Sequence, residues 1–122
     1  MIFYDVLSGK LTGLVTGKGY SGHDTATLPT LNNPIFERVQ GVGPIPQGLY
    51  KLSTWEDYHP KLGEVVVELV PEPTTNTYGR SGFFIHGDNQ QMDYTASDGC
   101  IILSKNLREA LRQSGETELT VT

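Results

Sequence analysis

Gly82-Phe-Phe-Ile-His-Gly-Asp88 and, a few residues on, Ala96-Ser-Asp-Gly-Cys-Ile-Ile-Leu103 each set a short apolar run against a polar side chain that can react. Phe83 to His86 and Cys100 to Leu103 are bounded by turn residues, and both read as buried strands. His86 stands at the C-terminal end of the first and Cys100 at the start of the second. Two adjacent strands with these ends together would bring imidazole and thiol side by side at the loop edge of a rigid sheet. An ordinary thiol, with pKa about 8.5, is only slightly ionised at neutral pH. A neighbouring histidine can stabilise the thiolate or take its proton, then hand that proton to a leaving amine. Gly99 allows a tight turn and the close approach of a substrate carbonyl. The N–H groups of Gly99 and Cys100 are the expected oxyanion donors. Singly, each feature has a plainer reading: Cys100 as a small buried hydrophobe, His86 bonded to a carbonyl, Ser97-Asp98-Gly99 as a turn.

Outward from this segment the chain reads as short strands joined by turns. Glu64 to Val70 is rich in valine and is the expected central strand. Ile2 to Leu7 alternates, Ser8-Gly9 turns, and Lys10 to Thr16 returns as a hairpin. Gly17 to Thr30 is glycine-rich and polar and is expected to be a loop. Asn33-Pro34 starts a turn or two of helix, and Leu49 to Thr54 is a further strand. Two prolines make Pro71 to Thr77 a loop. Ser104 caps a helix over Lys105 to Gln113, with Leu107 and Leu111 on one face. Gly115 ends it, and Glu118 to Thr122 is a terminal strand. The expected fold is mainly β, a sandwich or partly closed barrel of short strands with one C-terminal helix packed on it.

The 122 residues suit one domain spanning 1–122, large enough for a core without staples. The net charge of −5 comes with no Lys/Arg cluster, which argues against a nucleic-acid surface. One cysteine excludes an intramolecular disulfide. Met1 to Asp5 lacks the pattern of a signal peptide, and no apolar run reaches membrane-spanning length. The expectation is synthesis in the cytoplasm without a signal peptide and no membrane insertion.

The pattern resembles the L,D-transpeptidase (YkuD-type) catalytic signature, a His-Gly pair followed by Ser/Thr-x-Gly-Cys and an apolar residue. Here these are His86-Gly87 and Ser97-Asp98-Gly99-Cys100-Ile101. Gly43-Pro-Ile-Pro-Gln-Gly-Leu-Tyr50 is similar to the family's segment before a strand. The similarity is closer to the small L,D-transpeptidase-like toxins delivered by type VI secretion. Gly19-Tyr-Ser-Gly22, Asn32-Asn-Pro34, Val42-Gly-Pro-Ile-Pro46 and Tyr78-Gly-Arg-Ser-Gly-Phe83 carry it, together with the Cys100 segment. Asp98 replaces a frequent His or Lys, and Ile102 a frequent Arg. The short interval from His86 to Cys100 implies a reduced lid.

The resemblance implies an L,D-transpeptidase-like β-sandwich acting on the stem tetrapeptide of peptidoglycan. Cys100 would form a thioester and expel terminal D-alanine; water, a D-amino acid or another stem amine would resolve it. His86 would be base and then acid, with the Gly87 carbonyl orienting its ring. Ser97 and Asp98 would hold the loop or the imidazole. Arg80 is a candidate for a substrate carboxylate, and Tyr20, Ser21 and His23 for the groove wall. No cofactor or metal is implied. The resemblance also implies secretion machinery and an immunity protein as partners, with action in the periplasm of a target bacterium after secretion or phage-type release. Two alternatives stand beside it: a catalytically inactive peptidoglycan-binding or phage-associated module on the same fold, and a zinc site built from His23, His59, His86 and Cys100.

Overall fold

Ten strands and one helix arise from these segments in the computed structural model, which describes residues 1–122. The strands are β1 (Ile2–Asp5), β2 (Lys10–Gly13), β3 (Gly17–Lys18), β4 (Tyr20–Ser21) and β5 (Gly48–Leu52), then β6 (Glu56–His59), β7 (Gly63–Pro71), β8 (Phe84–His86), β9 (Ile101–Ile102) and β10 (Glu118–Val121). Helix α1 spans Lys105–Ser114, and Pro34–Phe36 forms one 3-10 turn capped by Asn33. Their order across the sheet is β3-β2-β1-β10-β5-β7-β8-β9-β4, with β6 paired to β7 off this path. The first and last strands of that path, β3 and β4, are consecutive in the chain and separated only by Gly19. The sheet therefore curls round nearly into a barrel, the partly closed form of the expected mainly-β fold.

Alternation in the strands sends one face inward. Tyr4, Val6, Leu11, Tyr50, Leu69 and Ile85 are fully buried in one core cluster, which Ile101 and Leu103 extend beneath the reactive segment. Helix α1 closes the barrel's flank. The Ser104 side chain accepts from the Leu107 N–H, and Gly115 ends the helix in the left-handed conformation at φ 71°. Leu111 is buried and Leu107 half-buried against the core.

Two strand assignments differ from expectation. Within Gly17 to Thr30, β3 and β4 form because they complete the two open edges of the sheet, a tertiary gain that polar glycine-rich sequence does not advertise. The polar run Glu56–His59 becomes β6 for the same reason, pairing with the N-terminal half of β7. A third difference bears on the site. Strands β8 and β9 run parallel, Ile85 opposite Ile101 and His86 opposite Ile102. A parallel pair needs a crossover of about a dozen residues or more, and residues 87–100 supply it as an irregular loop over the site.

Truncating the anchor of α1, Leu111→Ala, is expected to cost about 2–5 kcal/mol through lost burial and a residual cavity. Urea unfolding followed by circular dichroism would register this as a lower midpoint.

Candidate active site

The β8–β9 register puts Cys100 beside Phe84, not beside His86. The two reactive residues lie on the same sheet face, on neighbouring strands, offset along the strand by two residue rises, roughly 6–7 Å. Both line one cleft of about 390 Å³, with His59, Lys61, Phe84 and Asp98 among its walls. Cys100 is half-buried, and its Sγ lies 3.8 Å from the Gly82 carbonyl oxygen; no hydrogen bond joins it to the imidazole. The ends of the two runs are thus brought to one cleft, but thiol and imidazole meet diagonally.

His86 is buried and its orientation is fixed. Nδ1 lies 2.8 Å from the carbonyl oxygen of Gly87, so Nδ1 donates and carries the proton, which leaves Nε2 as the acceptor nitrogen. Gly87 makes room for more than a turn. A Cβ there would lie 2.6 Å from Nη2 of Arg108.

The loop that carries Cys100 is held by two hydroxyls. Ser97 Oγ donates to the Cys100 carbonyl (2.6 Å) and accepts from the Gly22 N–H (2.8 Å) and the Gly99 N–H (3.2 Å). Ser21 Oγ donates to the same Cys100 carbonyl (2.8 Å) and accepts from the Ile45 N–H (2.8 Å). Both serines are fully buried. His23 adds a third tie, its Nδ1 2.7 Å from the Ser97 carbonyl oxygen. The crossover loop is pinned at both ends by one phenol: the Tyr20 hydroxyl donates to Asp88 Oδ1 (2.7 Å) and accepts from the Ala96 N–H (3.1 Å).

The family model of the Tlde1 domain matches residues 16–122. The chain belongs to the Tlde1-domain family. This is a family of type VI secretion effectors, L,D-transpeptidase-like in character. No curated protein and no solved structure matches the chain significantly. No helix of this Tlde1 domain is long and apolar enough to cross a membrane.

Several expected site residues of the Tlde1 domain have other work. Arg80 is 5 % exposed, and its guanidinium is spent on carbonyls. Nη1 donates to Glu37 O and to Pro44 O (2.8 Å), and Nη2 to Gly43 O (2.9 Å) and Asp98 O (3.1 Å). Those four N–H groups are not free for a substrate carboxylate, so Arg80 is a clamp between the Gly43-Pro44 segment and the Cys100 loop. It also explains Gly99, whose Cβ would lie 2.5 Å from Arg80 Nη2 and whose φ is +134°. The missing side chain admits the guanidinium, where the expectation was a substrate carbonyl. Gly99 is not a free oxyanion donor either, because its N–H is bonded to Ser97. The Cys100 N–H makes no hydrogen bond within the chain. Tyr20 and Ser21 are loop anchors and are not among the walls of the Cys100 cleft. The zinc alternative fails on geometry: no three His, Cys, Asp or Glu side chains converge as a metal would need. His59 instead accepts from the Lys61 and Leu62 N–H groups and meets Phe84 edge-on.

Arg108 was not among the expected site residues. It sits on the inner face of α1, three residues before Leu111, and is 8 % exposed. Nε donates to the Leu103 carbonyl (3.1 Å), and Nη1 to Glu64 O and Val65 O (3.1 Å). Val65 has a left-handed backbone, φ 54°, an outlier for a β-branched residue. The signal was present in the sequence, since Arg108 shares a helix face with Leu107 and Leu111, where a solvated arginine does not belong.

The electrostatics set both reactive groups neutral. Burial pushes the Cys100 thiol up to about 11, although a Phe84 N–H faces the sulfur and favours the thiolate. Burial lowers His86 below its ordinary value, and the Arg108 charge pushes the same way, against the Gly87 carbonyl. A resting thiolate–imidazolium pair is not favoured here; neutral His86 Nε2 is suited to take the proton as sulfur attacks. Alkylation of Cys100 by iodoacetamide should accordingly inflect near pH 11 in the free protein. An inflection close to pH 8.5 or below would show a thiolate that this environment does not favour.

Proposed function

We propose that this Tlde1 domain is a cysteine-dependent peptidoglycan enzyme acting on stem tetrapeptides, with Cys100 as nucleophile and His86 as general base and acid. The single observation that carries the reading is the His86 tautomer: Nδ1–H is tied to Gly87 O, leaving Nε2 basic in the cleft that Cys100 also lines. The sulfur turns from Gly82 O towards the bound carbonyl and loses its proton to Nε2 as it attacks. The tetrahedral oxyanion takes the unspent Cys100 N–H. His86 then protonates the departing amine of D-alanine, and a thioester remains on Cys100. Water releases the tripeptide, and a D-amino acid releases an exchanged tetrapeptide. As a type VI effector the protein would meet this substrate in the periplasm of a target cell, and its producer would need an immunity protein.

The raised thiol pKa and the missing thiol–imidazole hydrogen bond favour a second reading, a binding module that has lost catalysis. Substrate binding distinguishes the two, because catalytic hydrogen bonds often tighten only in the complex. Purified tetrapeptide incubated with the wild type should lose terminal D-alanine, or exchange it for an added D-amino acid, by mass spectrometry. Cys100→Ala should leave it unchanged. Unaltered peptide with the reduced wild type would sink the enzyme reading.

The sign of the pH dependence follows from His86. Its pKa is lowered, so the neutral base form persists below pH 6.5 and is lost only as pH falls through that lowered value. The acid limb of kcat/KM should therefore lie below pH 6.5, and a limb above 6.5 would contradict the base assignment.

A further inference from the structure

A second cleft of about 520 Å³ lies against β9 and the start of α1 and shares no wall residue with the Cys100 cleft. Its walls include Lys18, Lys105 and Arg108, three cations in a chain of net charge −5 with only nine basic residues. The one acidic side chain among its walls, Asp88, is engaged by the Tyr20 hydroxyl (2.7 Å) and the Asn89 N–H (2.9 Å). Arg108 is nine-tenths buried, yet only its Nε and Nη1 are hydrogen-bonded. Nη2 carries two N–H donors with no partner within the chain; it lies 2.6 Å from where a Gly87 Cβ would be and keeps access to solvent, because Tyr4 Oη is the only fully buried side-chain polar atom left unpartnered. The open edge of an otherwise buried guanidinium, with unspent donors, is a ready site for an acceptor, and a carboxylate is the acceptor that matches its shape and charge. Lys105 has an alternative partner in Glu64 at 3.1 Å, but both side chains are more than half exposed, so a ligand can take its place. Tyr94, which meets Tyr20 edge-on at 5.2 Å between ring centroids, gives the cleft an apolar wall.

We propose that this cleft is a carboxylate-binding subsite, with Arg108 Nη2 as its anchor and Lys18 and Lys105 at its mouth. It takes the role first expected of Arg80. Its occupant is an amino-acid or peptide carboxylate, either on the stem peptide or on a free D-amino acid. That choice of occupant rests on the function proposed above. The Arg108 guanidinium touches Gly87, whose carbonyl orients His86, so an anion here lies next to the support of the base.

The test is a nitrogen-15 NMR titration of Cys100→Ala with N-acetyl-D-alanine, N-acetyl-D-alaninamide and the stem tetrapeptide. The acid should shift the amide signals of Lys18, Gly19, Ser104 and Lys105 saturably, and the amide should not. If the stem peptide supplies the carboxylate, the tetrapeptide shifts the same signals and competes with the acid. If a free D-amino acid supplies it, the acid binds without that competition. Lys18→Glu, an exposed change outside the barrel core, should weaken binding of the acid at least fivefold. Equal shifts from acid and amide, shifts confined to Lys61 and Phe84, or undiminished binding to Lys18→Glu would each overturn the subsite. Binding is read without turnover, so an inert wild type counts against the reaction alone, and missing shifts in this cleft count against the subsite alone.

Discussion

The parallel pairing of β8 with β9 is the constraint on which the rest of the site depends. It fixes the register of His86 against Ile102 and sets Cys100 beside Phe84. It forces residues 87–100 out of the sheet as a crossover, which makes the roof of the site an irregular loop. An antiparallel hairpin would need only a few residues between the strands and would leave no such roof. The diagonal offset of thiol and imidazole is therefore a consequence of topology.

A loop of that length needs partners for its backbone, and one buried arginine and three hydroxyls supply several of them. Arg80 collects carbonyls from Glu37, Gly43, Pro44 and Asp98, which welds the Gly43-Pro44 segment to the Cys100 loop. Ser21 and Ser97 converge on the Cys100 carbonyl, and the Tyr20 hydroxyl closes the loop at Asp88 and Ala96. Each buried polar group left without its partner would cost about 1–3 kcal/mol. The glycines of the two reactive motifs belong to the same economy of space: Gly99 admits Arg80, and Gly87 admits Arg108. Burial raises the thiol pKa, and the Arg80 charge, turned to backbone carbonyls, offsets only part of that rise.

The fold was legible where local pattern and tertiary role agree. Valine-rich β7, the alternating β1 and the capped helix over Lys105 announce themselves through period and punctuation. Strands β3, β4 and β6 do not, because their residues become strands only by completing edges that distant segments create. The same limit applies to the site. The positions of His86 and Cys100 at strand ends were readable, and so was the family. Strand direction was not, since a short apolar run carries no mark of parallel or antiparallel pairing. Arg80 was expected at a substrate carboxylate, because no sign in the sequence says that four carbonyls converge on it. Arg108 did carry such a sign, standing on the apolar face of α1 with Leu107 and Leu111.

The proposed reaction turns on acylation of the Cys100 thiol by a stem peptide, with His86 as the base. Intact-protein mass spectrometry of the wild type, mixed with tetrapeptide and acid-quenched within a turnover, tests it most directly. An adduct equal to the tetrapeptide less D-alanine is expected, mapped to the Cys100 peptide and missing from His86→Ala. No adduct despite release of D-alanine, or an adduct on another residue, would contradict it.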